Sequence, residues 1–147
     1  MLGPAGPAAL ADVARAATTP PATWFEPIES GLHEIRRARE GLVAGGELAM
    51  VGYTYHEAVY YLLDCAPTLH SFVAEVEAGL AFTRRTGAEQ IGQWFNSYRW
   101  LAGVLRGENS AAEGDGVLTD TSINPLALFI VHVTRAIAAA VCRASAT

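Results

Sequence analysis

Glycine and proline divide this chain into intervals of about 20 residues, and this spacing constrains the fold more than any other feature. Such intervals are too long for single strands, and within them apolar residues recur three and four positions apart, which is the period of a helix with one buried face. The pattern predicts an all-α fold of antiparallel helix pairs. Five helices are expected, over residues 24–44, 47–65, 69–86 and 89–105 and from Asn124 and Pro125 onward.

The predicted helix ends follow known capping preferences. Pro27 is expected in the first turn of the first helix, where its missing N–H costs nothing, and Gly45 and Gly46 are expected to end that helix. Gly87 is expected to supply a left-handed cap for the third helix. Because helix starts recur every ~20 residues, a helix pair repeats every ~42, which is the period of helical solenoids rather than of a closed bundle.

The chain has 147 residues, of which 51% are hydrophobic, so a single compact domain is expected. Its composition nevertheless changes along its length. Four segments are predicted: a weakly structured Ala/Pro-rich lead-in (1–23), a helical-repeat core of four helices (24–107), an acidic flexible linker (108–123) and a C-terminal helix (124–147).

Charge composition excludes several functions. All ten basic residues are arginine, and the chain contains no lysine. This excludes a phosphate-binding loop, a protein kinase site and Schiff-base chemistry, because each of them requires a lysine amine. A net charge of −5 argues against a nucleic-acid partner. The first 20 residues lack the basic start of a signal peptide, and the apolar window 126–141 is shorter than the ~20 residues of a membrane span. We therefore expect a soluble cytoplasmic protein with no membrane partner.

No catalytic or metal-binding motif is present in the sequence. The four histidines lack the spacing of an HExxH zinc motif, and Cys65 and Cys142 belong to no CxxC pair. Charged pairs at i, i+4, such as Arg36 with Glu40, are typical of a solvated helix face. The sequence thus predicts no enzyme activity, no metal and no cofactor.

Aromatic residues with polar tips are the one feature that suggests a binding surface. The candidate partner groove consists of Tyr53, Tyr55 and His56 on the second predicted helix and Trp94, Tyr98 and Arg99 on the fourth. Such residues are enriched at interfaces, but at helical spacing they also fill cores. A third interpretation is a small-molecule pocket, with Arg99, Tyr98 and His56 as its polar contacts.

Several motifs resemble the TPR-like helical region of large bacterial hybrid signalling proteins. The residues that carry the resemblance are the GYTY run at Gly52–Tyr55, the segment VAEVEAGLAFTRRTG at 73–87, WLAGVLRG at 100–107 and NPLA at 124–127. Proteins of that family join a Ser/Thr kinase-like domain, a predicted AAA-type ATPase domain and, in many cases, GAF and sensor histidine kinase domains.

The resemblance implies a scaffold segment that holds signalling domains together, with no active site of its own. The kinase, ATPase and histidine kinase parts are missing from these 147 residues, so their activities do not transfer. The leading hypothesis is a non-catalytic interaction module with a protein partner or self-association. A truncated fragment and a helical sensor for a small ligand remain the alternatives.

Overall fold

A computed structural model of the protein describes residues 27–110 and 125–144. Helices account for 88% of this part of the chain, which contains no strand, so the all-α prediction is confirmed. The five helices are α1 (Ile28–Gly45), α2 (Leu48–Cys65), α3 (Leu69–Thr86), α4 (Glu89–Leu105) and α5 (Pro125–Ala144). The predicted lead-in and most of the predicted linker lie outside the described residues.

Helix boundaries follow the predicted punctuation closely. Helices α3 and α4 begin and end at the predicted residues, and Pro125 is the first residue of α5 as expected. The placement of Pro27 inside a helix that begins at residue 24 was wrong, because α1 begins at Ile28. The ψ of 137° at Pro27 is extended rather than helical, so Pro27 is the residue before α1 and not part of its first turn.

Three helices end in the same left-handed glycine cap. Gly46, Gly87 and Gly107 have φ angles of 77°, 70° and 73°, a region that side chains with a Cβ disfavour. The residue after each glycine donates its N–H to a carbonyl oxygen five positions back, as in Ala88 N–H to Thr83 O at 3.1 Å. This is the Schellman pattern, and it satisfies carbonyls that the helix end leaves open.

The chain falls into two compact units that divide between Phe82 and Thr83, so α3 contributes to both. In the first unit α1 packs against α2. Part of its core is a cluster of Ala38, Leu42, Val51 and Phe82, with Met50 and Tyr55 packed against it.

In the second unit α4 packs against α5. The buried residues of α4 include Trp94, Phe95, Tyr98 and Leu101, and those of α5 are Ala127, Ile130, Val131, Thr134 and Ala138. The start of the predicted linker is fixed to the end of α4, because the N–H groups of Glu108 and Asn109 both bond to the Gly103 carbonyl oxygen.

Candidate functional site

The side chain of Arg39 lies inside the first unit and is only 13% exposed. Its Nε donates to Thr54 Oγ1 at 3.2 Å, and its Nη2 donates to the Thr54 carbonyl oxygen at 3.1 Å. The guanidinium carbon lies 3.6 Å from the centroid of the Tyr55 ring, which is a cation–π contact. Arg39 of α1 is therefore held to two consecutive residues of α2.

Glu75 of α3 supplies the negative charge beside Arg39. The Glu75 side chain is 8% exposed, and its Oε1 lies 2.6 Å from Arg39 Nη2. This contact is an ion pair, but its angles are not those of a hydrogen bond. Arg36 Nη2 donates to the other oxygen, Oε2, at 2.9 Å, from a side chain that is 49% exposed. We call Arg36, Arg39, Thr54, Tyr55 and Glu75 the Arg39 network.

The Arg39 network joins all three helices of the first unit through polar contacts. Thr54 Oγ1 accepts from Arg39 and itself donates to the Val51 carbonyl oxygen at 2.7 Å. Both oxygens of Glu75 are engaged by arginine, and the carboxylate is enclosed. Such a network fixes helix register, because a buried charge that loses its partner is costly.

The three predicted groove residues of α2 have different surroundings. Tyr53 is 46% exposed, whereas Tyr55 is half-buried between the Arg39 guanidinium and the Phe82 ring, whose centroid lies 5.4 Å away. His56 is also half-buried, and burial lowers its pKa to about 4. Of these three residues, Tyr53 is the most exposed.

The other three predicted groove residues belong to α4 in the second unit. Trp94 and Tyr98 are 3% and 2% exposed, and both contribute to the core. Arg99 lies next to Tyr98 in sequence and is exposed. The packing interpretation therefore accounts for Trp94 and Tyr98, while Arg99 faces solvent.

The exposed side of α2 contains a residue that the predicted groove omitted. Tyr60 is 51% exposed and lies seven positions after Tyr53, which is nearly two helical turns. The acidic residues Glu57 and Asp64 follow the two tyrosines at i+4 on the same side. We call Tyr53, Glu57, Tyr60 and Asp64 the α2 outer face. The i, i+4, i+7, i+11 spacing was visible in the sequence, but burial was needed to show which side of α2 faces out.

The electrostatic environment around this face is acidic. Burial raises the pKa of Glu57. The pKa of Tyr61 is raised first by burial, then by the charge of Glu57, by interaction with Tyr60 when both phenols ionise, and by the charge of Glu34. Helix α2 contains no arginine, so the negative charges on its outer face are not neutralised from within the helix.

Cys65 does not have the surroundings of an activated nucleophile. Both cysteines are free thiols, with Cys65 partly buried and Cys142 exposed. Burial raises the pKa of Cys65, and the charges of Glu29 and Asp64 raise it further. A reactive thiol needs the opposite shift. No group of three metal-ligating side chains lies together within residues 27–110 and 125–144.

Helix α5 is the single helix in the described part of the chain with the length and apolar composition of a membrane span. It is 20 residues long, four more than the window considered from the sequence. Mostly buried core helices of soluble proteins and signal sequences meet the same criteria, and 28% of the most apolar 18-residue window of α5 is buried. His132 and Arg135 lie near its middle.

Comparison with known proteins gave no match: no family model fits the sequence, and neither a curated protein nor a solved structure is significantly similar to it.

Proposed function

We propose that this chain is a non-catalytic helical module that binds a protein partner through the α2 outer face. One observation carries the proposal: Tyr53 and Tyr60 are 46% and 51% exposed on the same side of one helix. Tyrosine has a rigid apolar ring with a polar tip, which gives large contact area at low entropic cost, and it is enriched in binding surfaces.

The charge of this face defines the partner's chemistry. Glu57 and Asp64 lie beside the two tyrosines, and no basic residue occurs in α2. A partner segment rich in arginine or lysine would pair with these carboxylates and place its cations over the exposed rings. We therefore expect a basic peptide or helix as the ligand.

The finer architecture belongs to the same proposal. A TPR-like arrangement, related to the helical scaffolds of bacterial signalling ATPase and kinase proteins, is supported by the sequence resemblance and by the helix lengths of 17 to 18 residues in α1 to α4. The two-residue connection between α1 and α2 favours an antiparallel pair, as in helical repeats.

Selection from a peptide library displayed on phage tests this function on the full chain. The wild-type chain is immobilised for selection, and the recovered peptides are then tested for binding to a Tyr53→Ala/Tyr60→Ala variant. We expect the recovered peptides to be enriched in arginine and lysine, and to bind the double variant at least about tenfold more weakly. Both substitutions are at exposed helix positions, so circular dichroism should show an unchanged fold.

A control is Leu128→Ala, which removes an exposed apolar side chain from α5 in the second unit. The control should bind the selected peptides as the wild type does. Peptides without basic residues, or equal binding by wild type and double variant, would contradict the proposal.

A further inference from the structure

Helix α5 has two apolar faces rather than one. Its buried residues are Ala127, Ile130, Val131, Thr134 and Ala138. A second apolar series has Leu126 at 44% and Phe129 at 62% exposure, followed by half-buried Val133 and exposed Ala136 and Ala140. We call Leu126, Phe129, Val133, Ala136 and Ala140 the α5 seam. A helix that is apolar all round normally has something packed on each side.

The spacing of the α5 seam identifies the shape of its occupant. Its members are separated by three, four, three and four residues, which is the heptad pattern of a helix that packs along another helix. Large residues occupy the first half of the seam, and alanines occupy the second half, where a partner backbone can approach closely. The seam therefore fits another α-helix lying along it.

We propose that this helix is the α5 of a second copy of the chain, so that the protein forms a dimer through paired α5 seams. In coiled coils, charged residues flanking the seam select the partner. The flanking positions that reach the surface are His132, Ile137 and Ala139, because Ile130 is buried in the core of the unit, and α5 contains no acidic residue. No flanking acid–base pattern selects a different chain, and no carboxylate on α5 repels its own copy. The neutral apolar surface is complementary to itself, as a two-fold interface requires.

The size of the seam predicts a weak dimer. A helix of 20 residues is about 30 Å long, and half the surface of a cylinder about 10 Å wide gives roughly 450 Å². Two copies would bury roughly 900 Å², which is below the ~1,200 Å² of stable complexes and within the range of transient ones. Dimerisation should therefore depend on protein concentration.

A lipid bilayer is a less favourable occupant. To span a membrane, α5 would have to leave α4 and place Arg135, near its middle, in hydrocarbon, which costs several kcal/mol. Binding flat on an anionic surface would require net positive charge, and the chain has a net charge of −5.

Sedimentation equilibrium on the full chain tests the proposal. We expect the average mass to rise from 15.6 kDa toward twice that value as concentration increases from about 1 µM to about 500 µM. Phe129→Glu should remain at the monomer mass over the whole range. Phe129→Ala, which favours helix formation, should weaken the dimer at least about tenfold and covers the case in which the charged variant fails to fold.

Leu128→Glu is the matched control, because Leu128 is 38% exposed on the same helix but outside the seam. It should dimerise as the wild type does. A monomer at every concentration, or equal loss in control and seam variants, would overturn the proposal. So would a monomer that co-sediments with phosphatidylcholine/phosphatidylglycerol vesicles and loses this binding in Phe129→Glu, since that result would assign the seam to lipid. Peptide binding at the α2 outer face is measured separately, so the two proposals can fail independently.

Discussion

Arg36 and Arg39 contact the same carboxylate, and we predict very different consequences for their loss. Arg39 is 13% exposed and also bonds Thr54 and stacks on Tyr55, whereas Arg36 is 49% exposed. Replacing either with glutamine removes one positive charge from Glu75. The two variants differ in how much buried structure each leaves unsatisfied.

The structure sets the expected magnitudes. Removing one partner of a buried ion pair costs about 3–5 kcal/mol, and Arg39→Gln also loses a cation–π contact worth about 1 kcal/mol. Because Arg36 continues to neutralise Glu75, we expect about 3 kcal/mol for Arg39→Gln. A half-exposed pair contributes about 0.2–1 kcal/mol, so Arg36→Gln should lose less than about 1 kcal/mol.

Urea unfolding followed by circular dichroism measures both free energies of unfolding under identical conditions. A third variant, Arg39→Met/Glu75→Met, removes the buried charges together and should recover much of the stability lost in Arg39→Gln. Equal losses for Arg36→Gln and Arg39→Gln would refute the argument that burial determines the strength of the Arg39 network. A double variant less stable than Arg39→Gln would refute it as well.

Other measurements test particular features of the fold. Gly87→Ala should lower the free energy of unfolding by about 1–2 kcal/mol, because the φ of 70° at this position is unfavourable for alanine. Gly87→Asn should lower it less, because asparagine tolerates the left-handed region better, and equal losses in the two variants would contradict the capping argument. Burial lowers the pKa of His56 to about 4, so as the pH falls this side chain is protonated in the unfolded state before it is protonated in the folded state. The free energy of unfolding should therefore decrease by up to about 3 kcal/mol between pH 6.5 and pH 4. The raised pKa of Glu57 offsets part of this loss, and His56→Gln should flatten the profile; an unchanged profile would exclude His56 as its source. Iodoacetamide should modify Cys142 before Cys65, because Cys142 is exposed and burial raises the pKa of Cys65. Peptide mass mapping measures the order, and faster modification of Cys65 would contradict the prediction.

Helix boundaries could be predicted because they depend on local chemistry. Gly87 and Gly107 end helices through their own backbone freedom, and Pro125 starts one because it lacks an N–H. Placing Pro27 in a first turn was wrong, because proline fixes φ but leaves ψ free to be extended.

The Arg39 network could not be predicted, because its partners are distant in sequence. Arg36 bonds Glu75, which is 39 positions away, whereas sequence spacing suggested only the local pair with Glu40. Whether an aromatic side chain is core or surface also depends on neighbours that periodicity does not identify. Trp94 and Tyr53 were equally plausible groove residues, yet one is 3% exposed and the other 46%.

The most direct test of the proposed function is the dissociation constant of the strongest peptide recovered from the library, measured by isothermal titration calorimetry. For the wild-type chain, we predict affinity that weakens as salt rises, because Glu57 and Asp64 contribute charge. We also predict at least about a tenfold loss in Tyr53→Ala/Tyr60→Ala. An identical dissociation constant for wild type and double variant would show that the α2 outer face is not the binding surface.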